Sequence, residues 1–398
     1  MSKRLIKPKK ILVIFFRPPY PTFGGDKIRM YQNLKFLSEN YQVDAIVLDE
    51  QRTQAVTINE LNRYCNKVQV FHIPKYKNYV NTFLGLLKNR KPLQINYYYH
   101  TVVQEWINKN FENYDILFVN TIRTAEYVKN LESYKVIDFI DSISMNYEKA
   151  ANQKSTGLWR LFYKIDKVRA KDYEKKTLNV FNKAIIISEV DKSFILKSTY
   201  NEQKIKVIPN GVFLNTKKCF DSFVEKEIIS FLGKMDYEPN ITAVMFFVSK
   251  VFPIVKKVNP DIEFQIIGIN PTKKIKALNK IKGVKVLGFV DNFEQYVVES
   301  KLIVAPMITG AGVQNKILQA MALGKCVITT KIGAEGLIDI DKSSIIIIDD
   351  ALKMANEIIT LFKDDGKRNS IGSNAKKYIN DNYSKKMIKK EFLEYLEK

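Results

Sequence analysis

Three small residues, Gly310, Ala311 and Gly312, stand shortly before Lys316. Small side chains let a backbone come close to a ligand, and a lysine beside free backbone N–H groups suits an anion. The surrounding stretch, Leu302 to Leu337, reads LIVAPMITGAGVQNKILQAMALGKCVITTKIGAEGL. To present such a loop, the chain needs a strand before it and a helix after it. Leu302 to Ala305 and Cys326 to Thr330 are short apolar runs without alternation, as in a parallel sheet covered on both faces. Between them, Asn315 to Leu323 has the spacing of an amphipathic helix with Lys316 in its first turn. Together these parts describe a phosphate site, although the spacing alone equally allows a solvated surface lysine.

A second small-residue turn lies near the start. Ile11 to Phe16 reads as a buried strand broken by Pro18, Pro19 and Pro21, and Gly24-Gly25 turns into a helix over Lys27 to Leu37. Asp26 and Arg29 flank this glycine pair. Further strands are expected at Val43 to Leu48, Val68 to Ile73, Ile116 to Val119, Val136 to Ile140 and Ala184 to Ile187, with helical stretches between them. After a polar linker from Asn215 to Lys226, strands follow at Ile228 to Leu232, Glu263 to Ile267 and Val284 to Leu287. A helix capped near Asn240 and another from Ala351 to Phe362, capped by Asp349 or Asp350, are also expected. This alternation predicts α/β architecture with two doubly wound parallel sheets.

The chain has 398 residues, 46% of them hydrophobic and 27% charged, which suits a globular protein with two full cores. No apolar run reaches the roughly 18 residues of a membrane helix, and Ile11 to Phe16 is too short for a secretory signal. Three scattered cysteines fit neither a metal site nor a disulfide framework. These features predict a cytoplasmic protein. The net charge is +22, and +15 of it falls in residues 1–212. Such a charge suits anionic partners, among them nucleotide sugars and an acidic membrane face. A basic helix from Leu158 to about Leu178 is expected to bury Leu158, Leu161, Phe162, Ile165 and Val168 and to expose its lysines and arginines. Peripheral contact of that basic face with an anionic inner membrane face is its functional reading. No nucleic-acid recognition module accompanies the charge.

The motifs RPPYPTFGGDKIR (17–29), VIDFIDSIS (136–144), IISEVDKSF (186–194), VIPNGV (207–212), SFLGKMDYEPN (230–240), FQIIG (264–268), GFVDN (288–292) and the block 305–337 occur in one order. In that order the chain resembles the GT-B glycosyltransferases of family 4, the group 1 nucleotide-sugar transferases, and among them a bacterial surface-polysaccharide branch. The resemblance implies two Rossmann-like domains facing across a cleft: residues 1–212 for the acceptor and 213–380 for the donor, with 381–398 packing back on the first. It also implies a retaining, metal-independent transfer from a UDP- or GDP-linked sugar to a glycan or lipid-linked acceptor, with no further cofactor. Catalytic roles fall on Asp141, Lys234 and Lys316. Donor contacts fall on Gly24, Gly25, Arg29, Gly268, Gly310, Ala311, Gly312, Val313, Gln314 and Gln319.

The pattern is not complete. Two glutamates common in the family are replaced by Ala311 and Gln319, and a catalytic histidine found in some members has Asp141 nearest its place. Gln319 retains an amide oxygen that accepts a hydrogen bond without charge assistance. These departures keep two other readings open: a catalytically silent binding protein of the same fold, and a nucleotide-sugar epimerase. Asp339-Ile-Asp341 imitates a metal-binding DxD but follows a loop where a strand end would be needed. No GxGxxG, Walker A or GxSxG sequence is present.

Overall fold

A computed structural model describes residues 8–22, 24–152, 158–197, 202–212, 224–310 and 312–397. The chain forms two compact units, Met1–Asn210 with Lys389–Lys398, and Gly211–Ile388. The chain thus returns to the first unit at Lys389, where the resemblance places that return at 381. Most of the polar linker at 215–226 lies outside the described residues.

The first unit is built on seven parallel strands: β1 Lys10–Phe15, β2 Gln42–Asp49, β3 Lys67–His72, β4 Ile116–Asn120, β5 Lys135–Ile140, β6 Lys183–Ile186 and β7 Ile205–Val207. Their order is β3-β2-β1-β4-β5-β6-β7. Ile11 pairs with both Val43 and Ile116, which puts β1 in the interior of the sheet, and every residue of β4 and β5 is buried. The edge strand β3 alternates instead, as a half-covered strand should. The sheet changes direction at β1 and β4, and ligands of open α/β sheets bind beyond the strand ends at such a switch.

The second unit has six parallel strands: β8 Lys226–Leu232, β9 Glu263–Ile267, β10 Val284–Gly288, β11 Ser300–Ala305, β12 Val327–Thr329 and β13 Ile346–Ile347. Their order, β10-β9-β8-β11-β12-β13, puts the switch at β8 and β11. Strand β11 is thus followed directly by the glycine loop and the helix Asn315–Ala322. Asp350 caps the helix Ala351–Lys363 by accepting from the Lys353 N–H at 2.8 Å. The helix Glu238–Phe246 starts ahead of Asn240, with Tyr237 at its N-cap. Asn240 therefore caps nothing, and its side chain serves the site described below.

The basic helix spans Leu158–Val180 with a different face inward from the one its apolar spacing suggests. Ile165 and Val168 are exposed, whereas Asp166, Ala170, Tyr173, Glu174, Thr177 and Leu178 are buried. The cause is polar: Asp166 accepts from the Leu93 N–H at 3.0 Å, and Glu174 anchors the loop after β5. The expected burial of Leu158, Leu161 and Phe162 lies outside the described side chains. Among the described residues, no helix is long and apolar enough to cross a membrane.

Candidate active site

Three strand ends meet backbone to backbone in the second unit. Gly233 follows β8 and donates to the Ile267 carbonyl at 3.0 Å, while Gly268 follows β9 and donates to the Gly288 carbonyl at 2.8 Å. A Cβ on Gly268 would overlap the Gly233 carbonyl, so only glycine fits there. Gly310 and Gly312 adopt φ of 127° and 70°, which brings the chain after β11 round into the helix Asn315–Ala322. Gly336 supports this loop from behind: a Cβ there would lie 2.6 Å from the Val313 nitrogen. Val313 is buried in the core. Ala311 lies outside the described residues.

Lys316 enters this setting from the first turn of the helix. Its ammonium donates to Asn240 Oδ1 at 2.8 Å and Gln314 Oε1 at 3.0 Å, and it stands over the Phe231 ring at 5.4 Å. None of these partners carries a charge. Burial strips the ammonium of water and pushes its pKa down to about 7. A desolvated cation held by neutral dipoles at a helix N-terminus is prepared for an anion that restores its charge. Gln319, three residues along the same helix, is half-buried. Lys234, after Gly233, reaches Asp236 at 3.2 Å and is more open to solvent.

Asn240 connects the two lysines. Its Nδ2 donates to the Lys234 carbonyl at 3.0 Å while its Oδ1 accepts from Lys316. Sequence reasoning gave it no such role. Asp341, of the DxD-like pair, accepts from the N–H groups of Ser343 and Ser344 at 2.6 and 3.1 Å and so closes a turn.

The switch of the first unit is made differently. Gly24, with φ of 111°, precedes the helix Gly25–Asn40, and Arg17 pairs with Asp26 beside it. Arg29 corrects an expectation. It is fully buried, with Nε on Asp138 Oδ2 at 2.6 Å and Nη1 on the Pro209 carbonyl at 3.0 Å. Asn33 adds a second side-chain bond to the same carboxylate at 2.5 Å. The guanidinium thus ties the first helix to β5, and its charge is neutralised inside the core rather than offered to a donor.

Thr121, directly after β4, and Ile140, at the end of β5, adopt φ of 62° and 64°, values costly for β-branched residues. This strained backbone presents Asp141. Its carboxylate accepts from Asn146 Nδ2 at 2.9 Å, and its pKa is pushed up to about 6, first by burial and then by Asp191, against the pull of Arg123. Two further carboxylates fix the loop. Asp191 accepts from the Ser142 N–H at 2.9 Å; Glu174 accepts from the Ser144 N–H at 3.2 Å and is pushed up to about 7 by burial. Asp191 was legible in principle, because Ser188 accepts from its N–H at 3.1 Å in a capping arrangement three residues long. Glu174 left no signal within its basic helix. His100 is a neutral structural residue: Nε2 meets Asn78 Oδ1 at 2.8 Å, Nδ1 meets Asn81 Nδ2 at 3.1 Å, and burial lowers its pKa.

Two doubly wound parallel sheets, one in each unit, give the chain the GT-B fold. Residues 226–364 match the family model described as "Glycosyl transferases group 1". The match to the group 1 glycosyltransferases thus lies in the second unit. An uncharacterised 44.6 kDa protein in the cps region of Klebsiella pneumoniae is 26% identical, across 95% of this chain and 97% of the relative. Among solved structures, sucrose-phosphate synthase of Thermosynechococcus elongatus superposes with a TM-score of 0.68 at 14% identity, covering 98% of each chain. Anabaena HepE in complex with UDP-glucose gives 0.66 at 17% identity, covering 98% of this chain and 99% of that one.

Proposed function

We propose that this protein is a glycosyltransferase that takes its sugar from a nucleoside diphosphate donor and passes it, with retained anomeric configuration and without a metal, to a glycan or lipid-linked acceptor in surface polysaccharide assembly. The observation that carries the donor assignment is the desolvated Lys316 ammonium, ringed by neutral acceptors at the mouth of the glycine loop. As the bond between sugar C1 and the diphosphate oxygen breaks, its electron pair moves onto the diphosphate. Lys316 and the helix N-terminus meet that growing charge. The acceptor oxygen bonds to C1, and its proton leaves with the diphosphate. Lys234 acts at the outer edge of the same loop. Gln319 accepts from a ribose hydroxyl, and Asp141 serves the acceptor side in the first unit.

HepE binds UDP-glucose and the Klebsiella relative is encoded in a cps region, which supports a UDP-linked donor and a polysaccharide product. A lipid-linked acceptor also calls for peripheral contact with an anionic membrane face, for which the charge of residues 1–212 is suited. The test is a melting panel with UDP, GDP, ADP, CMP and dTDP. A nucleotide at about 100 times its Kd stabilises by roughly 2.7 kcal/mol, so the true donor base stands out. Absence of any shift, with no binding by titration, overturns the donor assignment in favour of a silent member of the fold.

A further inference from the structure

The helix Lys75–Lys88 is packed inside out. Of its fourteen residues, only Asn78 and Gly85 are buried. Its large apolar side chains face the other way: Tyr76, Tyr79, Phe83 and Leu87 are 65%, 63%, 63% and 74% exposed, with Val80 and Leu84 between them. The numbers 76, 79, 80, 83, 84 and 87 trace one continuous stripe along a helix. A stripe of this kind normally seals a core, and an exposed one marks a surface that something covers. The inward face explains why the helix does not roll over. Asn78 bonds His100, and a Cβ on Gly85 would overlap the Asn96 side chain, so the helix sits close on the helix Leu93–Tyr98.

The charge around the stripe says what covers it. No Asp or Glu occurs between Glu60 and Glu105, a span that holds seven Lys or Arg residues. Lys75, Lys77, Lys88 and Arg90 are exposed at the two ends of the stripe, and among the described residues the one ion pair they make is Lys75 with Glu50 at 3.8 Å. Tyr and Phe among Leu and Val, flanked by lysines, match the boundary between lipid headgroups and acyl chains. The helix is about 21 Å long, too short for a hydrocarbon core of about 30 Å, so it lies in the interface. A second copy of the chain fits less well, because pairing this face with itself brings like charges together.

We propose that the helix Lys75–Lys88 is the membrane-docking surface of the protein, laid flat into an anionic lipid surface with its aromatic stripe down and its lysines on the headgroups. This rests on the reading of a peripheral membrane contact and moves that contact from the basic helix Leu158–Val180 to a different element. The binding is read without nucleotide or turnover, so its failure leaves the donor assignment standing.

The experiment is co-sedimentation of the full chain with vesicles of phosphatidylcholine alone or mixed with phosphatidylglycerol. Binding is expected only to the mixed vesicles and is expected to fall as salt rises. Phe83→Ser with Leu87→Ser should weaken it at least tenfold, and Lys75→Glu, Lys77→Glu and Lys88→Glu should each weaken it about fivefold or more. All five side chains are exposed, and an unchanged melting temperature verifies the fold. Phe83→Trp adds a reporter whose emission moves to the blue on lipid entry. Equal binding to both vesicle types, undiminished binding of the serine variant, or no blue shift overturns the proposal. Concentration-dependent dimerisation that the serine variant abolishes overturns it in favour of self-association.

Discussion

Both units place their candidate groups at the same topological position, beyond the two strands where the sheet reverses, yet they furnish it in opposite ways. In the second unit the position is made of backbone: Gly233, Gly268, Gly310 and Gly312 bring main chain together, and one lysine stands among neutral partners. In the first unit it is made of side chains that neutralise or restrain one another: Arg29 on Asp138, then Asp141, Glu174 and Asp191 around a strained loop. A backbone site holds an anion of fixed geometry, and the invariant part of a nucleotide sugar is its diphosphate. A side-chain site is readily altered, which suits the half of the reaction that differs from one product to another.

The division of labour is most exposed at Lys316. Lys316→Ala should slow transfer by about 10²–10³-fold, equivalent to roughly 2.7–4 kcal/mol of barrier, because a preorganised charge on the leaving group is lost. The melting temperature should not fall, since the residue removed is a desolvated cation without a counter-charge. Steady-state turnover with a thermal melt checks both.

Asp141→Asn makes the matching cut in the first unit. It should lower turnover about 10²-fold and leave nucleotide affinity unchanged, and parallel kinetics and titration test the pair of outcomes. A variant that lost nucleotide binding as well would break the assignment of donor and acceptor to separate units.

The pH dependence sharpens the comparison further. Lys316 has a pKa near 7 in the folded protein, below its ordinary value of 10.5, so above about pH 7 the native state binds fewer protons than the unfolded one. Its contribution to stability therefore rises with pH from about 7 to 10.5. A bound diphosphate recharges the lysine. Nucleotide affinity should accordingly be flat below pH 7 and fall above it, by at most about tenfold per pH unit. Lys316→Met should remove that slope, as titration calorimetry across pH 6 to 9 would reveal.

The smallest effect belongs to Gln319. Gln319→Glu should tighten nucleotide binding by about 1 kcal/mol, roughly fivefold, by giving the ribose a charged acceptor. No change on titration would mean that no ribose reaches the helix.

What could be read in advance follows the same contrast. The central strands and the glycine loop were legible because apolar runs and small residues leave local traces: β11 ends at Ala305, where the run LIVA ends. Asn240 was not legible, because its role is a bond to Lys316, 76 residues away. Arg29 was misread since its partner, Asp138, lies within the run Val136 to Ile140, which is otherwise apolar. The face of the helix Leu158–Val180 was misread for a related reason. Apolar spacing was weighed, while buried carboxylates serving loops on other elements carry no periodic signal.

The return of the chain to the first unit also fixes an order of events during synthesis. Phe392 packs at 5.8 Å from Phe36 and 6.1 Å from Phe118, and Tyr395 donates to the Lys204 carbonyl at 2.7 Å. These partners leave the ribosome long before residues 389–397 exist. The first unit must wait, with the hollow for Phe392 open, while the entire second unit is made and free to fold. The half that is translated first is therefore the half completed last, and a chain stopped just past Ile388 would carry a finished second unit joined to an unfinished first.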